Sequence, residues 1–261
     1  MIIDSHAHVV LPTERQIEMM DLSGIDKTIL FSTLVHPEKS ESYEEFIQEM
    51  DILNQILNNE INPIEARLRA LEEVKDAVIK YPDRFIGFGL VPLSSSSEEL
   101  NHWIEMIVKD HKMKGLGEFT LGTGQIKLLE PVFQAASNYS SFPIWVHTFH
   151  PLNLNDIQEL FSLTRKYPNV PVIYGHLGGT HWLQTIALIK ETRNAYLDIS
   201  AFYTTYALSL AIKELPEKTL FSSDFPYGDP FLNKLAVERH ASSDEVIQRV
   251  LGGNIVNLLN I

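Results

Sequence analysis

Eight short runs rich in β-branched and aromatic residues recur along the chain, each followed by a turn and then by a stretch with helical periodicity. The runs lie at 1–4, 27–32, 84–91, 114–119, 143–148, 171–176, 195–200 and 219–224. Helical stretches fill the intervals at 14–22, 43–58, 63–80, 97–110, 127–138, 155–166, 181–191, 205–215 and 231–240, and two more, 244–250 and 254–259, close the chain. Strands that alternate with helices indicate a parallel sheet. Eight such units in 261 residues is the size of a (β/α)8 barrel. The expected fold is therefore α/β, a single TIM-barrel domain over 1–261, with a doubly wound open sheet as the competing architecture. The main departure from the repeat is at 34–63, where an extra acidic helix follows the second strand. It reads as an outer packed helix with a solvated acidic face, or as a lid if it borders the mouth. The "SSSS" run at 94–97 reads as a loop ending in a helix N-cap.

Composition narrows the function. A formal net charge of −13 leaves no excess of Lys and Arg to displace counterions, so a nucleic-acid backbone is not the expected partner. Cysteine is absent, which excludes disulfide and thiolate chemistry and leaves nitrogen and oxygen to hold any transition metal. No run approaches the roughly twenty apolar residues of a membrane span, and the N-terminus lacks the pattern of a secretory signal. The expectation is a cytoplasmic protein acting on a small molecule, without a membrane partner and free to form a homo-oligomer.

Catalytic side chains of a barrel gather at the C-terminal ends of its strands. Strand 1 leads into His6 and His8, strand 4 ends in Glu118, strand 5 in His147, strand 6 in His176 and strand 8 in Asp224. Each has an ordinary explanation when taken alone. His147 fits a buried imidazole satisfied by backbone, Asp224 a turn cap before Pro226, and Glu118 a salt bridge. Six imidazole and carboxylate groups at one end of one sheet are harder to explain separately, and they point to a metal site. His6 and His8 share a face by alternation, and the same alternation puts Lys114, Leu116 and Glu118 together on one face of strand 4. His36, His150, His181, Tyr203 and Tyr227 lie near the same rim as further substrate contacts. His102, His111 and His240 read as surface positions. Arg and Lys are scarce beside the motifs, which argues against a highly anionic substrate.

The segments "DSHAHV", "VHTFHP", "YGHLGG", "FSSDFPYG" and "VLGGNIVNLLNI", in this order, resemble the amidohydrolase superfamily. More narrowly, they are similar to its amidohydrolase-2 branch, which includes relatives of aminocarboxymuconate-semialdehyde decarboxylase. The resemblance implies a barrel with one or two divalent ions, zinc foremost, at its mouth. His6, His8 and Asp224 would hold the more buried ion. His147 and His176 would complete a second site, or His147 alone would join the first while His176 stays a free catalytic group. "GLGEFT" looks more like the "GE" of TatD-type hydrolases, which favours two ions bridged by Glu118. The expected activity is hydrolysis of an amide, ester, lactone or phosphoester by metal-activated water, with Asp224 moving the proton and the metal or His176 polarising the substrate. Non-oxidative decarboxylation of a small carboxylic acid is the alternative, and a non-catalytic metal- or ligand-binding barrel the third reading.

Overall fold

A computed structural model describes residues 1–57, 64–93 and 95–261. Its eight strands are β1 (Ile3–His8), β2 (Lys27–Phe31), β3 (Phe85–Gly89), β4 (Gly115–Phe119), β5 (Ile144–Val146), β6 (Val172–Tyr174), β7 (Ala195–Asp198) and β8 (Thr219–Leu220). They pair in sequence order and every pair is parallel. The chain after β8 returns to β1 through Ser5 N–H to the Phe221 carbonyl and His8 N–H to the Phe225 carbonyl, both 2.8 Å. The expected barrel is thus present and nearly closed, and the open sheet is excluded.

The helices are α1 (Thr13–Ser23), α2 (Tyr43–Leu57), α3 (Ile64–Lys80), α4 (Ser97–Lys109), α5 (Glu130–Ala136), α6 (Leu154–Lys166), α7 (Trp182–Glu191), α8 (Thr205–Glu214), α9 (Pro230–His240), α10 (Asp244–Gln248) and α11 (Asn254–Leu259). The helix after the serine run starts as expected. Ser96 accepts from Glu99 N–H and the Glu99 carboxylate returns to Ser96 N–H, a reciprocal cap that satisfies two orphan donors. The expected helix boundaries at 58 and 63 and the first serine, Ser94, lie outside the described residues. Among the described residues no helix is long and apolar enough to cross a membrane.

Two apolar layers hold the barrel. Ile3, Ile29, Phe31, Phe88, Trp145, Ile173 and Leu220 fill its interior. Leu30, Leu116, Val146 and Leu197 face outward and pack against helix residues such as Ile104, Leu160 and Ala211. The bulky interior residues need vacant positions on β4. A Cβ at Gly115 would stand 2.6 Å from the Phe88 ring, and one at Gly117 would stand 2.8 Å from Trp145 Cβ. Closer approach than about 3 Å is repulsive, so these two glycines are the space into which the aromatics fit.

Two irregularities in register decide where the polar residues point. On β1, Asp4 pairs with Thr28 but Ala7 with Leu30, so β1 carries one extra residue between them. On β4, Leu116 pairs with Ile144 but Phe119 with Val146, again one extra residue. A bulge of this kind flips the alternation beyond it. Ile3 faces the interior, and strict alternation from it would send His6 outward; after the bulge His6 packs inside, with ring centroids 4.7 Å from Phe31 and 4.2 Å from Trp145. The expected shared face of Leu116 and Glu118 is corrected in the same way. Leu116 lies in the outer layer, while Glu118 reaches the mouth because of the extra residue. β1 also runs to His8 instead of ending at Asp4, since both of its later residues still pair with β2. β8 is only two residues long. Beyond it the Asp4 carboxylate accepts from Ser223 N–H at 2.9 Å and from the Ser223 hydroxyl, which draws that chain toward β1.

The extra helix and α3 are both tied to His36, one by its backbone and the other by its imidazole. His36 Nδ1 lies 2.9 Å from Glu38 Oε1 and Nε2 3.3 Å from Glu73 Oε2 of α3, and the His36 backbone N–H donates to Glu49 Oε2 of α2 at 2.8 Å. Hydrogen bonds to Glu38 and then Glu73 raise the His36 pKa from 6.5 to about 9. A folded-state value above the unfolded one makes this contribution complete below about pH 6.5 and lost as the pH rises through about 9. Amide protection of the 36–39 turn and of α3 around Glu73, corrected for intrinsic exchange, is expected to fall across that window. The H36Q variant is expected to show no such step.

Candidate active site

All six predicted residues meet at the mouth. Glu118 stands between two groups: its Oε1 lies 2.8 Å from His147 Nδ1 and 3.2 Å from His176 Nε2, and its Oε2 lies 3.6 Å from His6 Nε2 and 3.4 Å from His8 Nε2. Asp224 Oδ1 closes the other side, 3.3 Å from His8 Nε2 and 3.7 Å from His6 Nε2. Two trios with metal-ligand chemistry result, His6–His8–Asp224 and Glu118–His147–His176. His6 and His8 share the mouth with ring centroids 5.2 Å apart, as their i, i+2 spacing predicts.

Buried hydrogen bonds fix how the imidazoles present themselves. The Ser200 hydroxyl donates to Asp198 Oδ1, so its oxygen accepts the proton of His176 Nδ1 at 2.9 Å. His6 Nδ1 is turned to the same Ser200 oxygen at 3.4 Å. His147 Nε2 donates to the His150 carbonyl at 2.9 Å. By this network, the nitrogens left over, Nε2 of His6 and His176 and Nδ1 of His147, are lone pairs aimed at carboxylates. Lone pairs facing carboxylates repel unless a cation lies among them. Buried His6 Nε2 makes no hydrogen bond at all, which fits a ligand atom. The spacing fits as well, because donors bound to one ion at about 2.1 Å stand roughly 3.0–3.5 Å apart. A third acidic trio, His6–His176–Asp198, is not an equivalent alternative: the Ser200 hydroxyl lies among its atoms, which makes Asp198 and Ser200 the support behind the histidines.

The electrostatics are those of a site built for positive charge. Burial alone would raise the Glu118 pKa, but hydrogen bonds to His147 and His176 and the nearby charge of His6 hold it well below the usual carboxylate range. Asp224 is also lowered, as the contact with His8 and the charges of His6 and His176 outweigh its burial. Burial would lower His176, yet Glu118, Asp224 and Asp198 together push it up to about 9. His6 moves up for the same reasons. A divalent ion would replace these protons and meet the same two carboxylates.

The glycines after His176 serve packing and turn. Gly178 and Gly179 have φ of +78° and +55°, and a Cβ would lie 2.2 Å from Thr185 Oγ1 and from Phe149 Cδ2 respectively. They let the chain turn tightly after His176 before α7 begins.

A cavity of about 870 Å³, part of it open to solvent, rises from the site. His8, Glu118, His147, His176 and Asp224 form its polar floor, and Leu34, Leu53 and Leu90 contribute apolar wall. Leu53 comes from α2, so the extra helix borders the mouth instead of lying wholly outside it. Of the five rim residues, Tyr227 lines the cavity, its ring edge-on to His8 at 5.8 Å. His36 is taken up by its glutamates, and His150 serves through its carbonyl with an exposed side chain. Tyr203 is exposed, and His181 only accepts at its carbonyl from Thr185. His111 is a correction: it is buried rather than superficial, 3.3 Å from Glu72, because the turn after α4 tucks it beneath α3. Sequence reading missed Asp198, Ser200 and Arg67. The strand-end rule applied to β7 would have found Asp198; Arg67 lies on a helix remote from every motif and offered no signal.

Comparisons place this architecture among known barrels. A 2,6-dihydroxybenzoate decarboxylase in complex with 2,6-dihydroxybenzoate matches with a TM-score of 0.71 at 15% identity, covering 100% of this chain and 99% of that one. A dihydroxybenzoic acid decarboxylase from Polaromonas sp. JS666, with bound manganese and the inhibitor 2-nitroresorcinol, matches at 0.71 with 18% identity, covering 99% and 96%. A 5-carboxyvanillate decarboxylase from Sphingomonas paucimobilis matches at 0.71 with 15% identity, covering 100% and 99%. No curated protein matches the sequence. The expected hydrolase is corrected by these structures, which share the whole barrel and are decarboxylases. Hydrolysis was inferred from a ligand set that activates water, but the same ligands also hold an ion that binds a substrate's own oxygens. The amidohydrolase family's sequence profile matches residues 3–261, and the chain therefore belongs to the amidohydrolase family, in its amidohydrolase-2 branch.

Proposed function

We propose that the protein is a metal-dependent, non-oxidative decarboxylase of a small carboxylic acid. The observation that carries this reading is the convergence of six nitrogen and oxygen donors on the floor of a cavity with apolar walls. The fold is shared with decarboxylases of aromatic acids, one of them with its acid bound and another with manganese.

His6, His8 and Asp224 would hold one divalent ion, and His147 and His176 a second, with Glu118 between the two. Imidazole and carboxylate donors suit zinc and manganese alike; zinc was the first expectation from sequence, and the manganese of two matched structures argues for testing both. When bound, the metal acts as a Lewis acid toward the substrate's oxygens. In the reaction the bond from carbon to carboxylate breaks, carbon dioxide leaves, and a proton takes its place on carbon. Asp224, at the edge of the cavity beside His8, is assigned the transfer of that proton, its carboxylate taking it from solvent water and passing it to the carbon. Leu34, Leu53 and Leu90 exclude water around the departing carboxylate, whose charge is easier to lose in an apolar setting.

Carbon dioxide release from a panel of small aromatic and unsaturated acids, on protein loaded with manganese or zinc, tests the reading; release from none of them counts against it. D224N retains an oxygen donor but cannot shuttle the proton, so turnover is expected to fall by roughly 10²–10⁴-fold. Its metal content, measured by elemental analysis, is expected to fall far less. Chelation is expected to abolish turnover while thermal unfolding stays cooperative, since both apolar layers are independent of the ion. With Glu118 between two ions, fully loaded protein should carry two per chain, and E118Q should lose one of them. A stoichiometry near one that survives E118Q would leave His176 free as the catalytic acid.

A further inference from the structure

Behind the two trios stands a single hydroxyl that both of them use. His6, Asp198 and Ser200 are fully buried and His176 is 4% exposed, so these groups must satisfy one another. An ionised Asp198 carboxylate can only accept. Its Oδ1 takes the Ser200 backbone N–H at 2.8 Å, the His176 backbone N–H at 3.1 Å and the Ser200 hydroxyl proton, while its Oδ2 takes the Trp145 indole N–H at 3.2 Å. With its one proton committed, the Ser200 oxygen has two lone pairs left, and two imidazoles face it, His176 Nδ1 at 2.9 Å and His6 Nδ1 at 3.4 Å. Each ring then carries its proton on Nδ1 and offers Nε2. His6 belongs to the trio with His8 and Asp224, and His176 to the trio with Glu118 and His147. One oxygen therefore sets the ligand atom of an imidazole in each trio. Its own position is held from the β8 side, where the Ser222 hydroxyl oxygen accepts the Ser200 backbone N–H at 2.9 Å.

We propose that Ser200 is a positioning residue shared by the two ion positions, so that a hydroxyl outside both trios sets the affinity for both ions together. This assignment rests on the two-ion arrangement proposed above. Without the hydroxyl, each buried Nδ1–H loses its acceptor, and the proton is better placed on Nε2. There His176 faces Glu118 Oε1 at 3.2 Å, and His6 faces Glu118 Oε2 at 3.6 Å and Asp224 Oδ1 at 3.7 Å. A ring protonated at that nitrogen cannot bind a cation. Asp198 Oδ2 lies 3.7 Å from His6 Nδ1, too far to replace the hydroxyl, and already accepts the Trp145 N–H. The signature differs from that of Glu118, which also borders both trios. Loss of the carboxylate removes one ion, whereas loss of the hydroxyl leaves every metal-binding side chain in place and weakens both ions.

Zinc titration of the metal-free protein in competition with a chromophoric chelator tests the proposal. Wild type is expected to take up two ions per chain. S200A should still reach two at saturation, with each dissociation constant raised by roughly 10–100-fold, the range for removing the hydrogen-bond partner of a ligand imidazole. S200T keeps the hydroxyl and should hold both ions nearly as tightly as wild type. A single ion in wild type would overturn the proposal, as would S200A weakening one ion alone or neither. S200T as weak as S200A would also overturn it, because a general loosening of the buried site does not depend on the hydroxyl. If S200A does not fold, S200C, whose sulfur is a weak acceptor, is read in its place against the same outcomes. The decarboxylase reading fails separately. Joint weakening of both ions in a protein that releases carbon dioxide from no acid removes the decarboxylase and keeps the role of Ser200, whereas carbon dioxide release by a protein whose S200A variant weakens one ion alone does the reverse.

Discussion

A carboxylate withdrawn from water must be met by positive charge, and Glu118 is met by four imidazoles. The penalty for burying such a charge without partners is several kcal/mol, a large share of what a domain of this size has in net stability. Four separate strand ends therefore have to deliver their side chains to one place: β1 for His6 and His8, β5 for His147, β6 for His176 and β4 for Glu118 itself. Asp224 adds a second carboxylate to the same imidazoles. The two carboxylates draw protons onto His6 and His176, and a divalent ion would take the place of those protons.

The barrel supplies the rigidity this arrangement requires. Trp145 and Phe31 fill the interior directly beneath His6, in space that Gly117 leaves on β4. Trp145 also donates to Asp198 at 3.2 Å, and Asp198 in turn orients Ser200 behind two of the histidines. Apolar packing and the hydrogen-bonded support are thus joined through one side chain. A displacement of the indole would be felt at the imidazoles.

Above this floor part of the cavity wall is built by the two helices between β2 and β3, one of them additional to the repeating unit. α2 brings Leu53 to the wall and α3 brings Arg67 and Ala70, so the departure from regular alternation after β2 shapes the cavity. His36 fastens both helices through Glu49 and Glu73. The floor carries the groups with metal-ligand chemistry, and the wall bounds the space above them. That division is common in barrels, where the strands carry the reaction and the loops choose the substrate.

The sequence by itself determined the barrel and the six residues at its mouth. Strand runs of period two alternating with helical runs admit few architectures, and imidazole or carboxylate groups at the ends of apolar strands stand out against their neighbours. His147 and Asp224 are legible on that rule alone. Tertiary structure decided the rest. The inward aim of His6 and Glu118 depends on one extra residue in each of two strands, which appears only when the strands are paired. Asp198 and Ser200 are ordinary polar residues until His176 and His6 are brought against them. Arg67 lies 51 positions before Glu118 in the chain, yet the two line the same cavity. Local pattern records what each residue prefers. Which residues share a cavity depends on the closure of the sheet and on loops whose course is fixed by contacts distant in sequence.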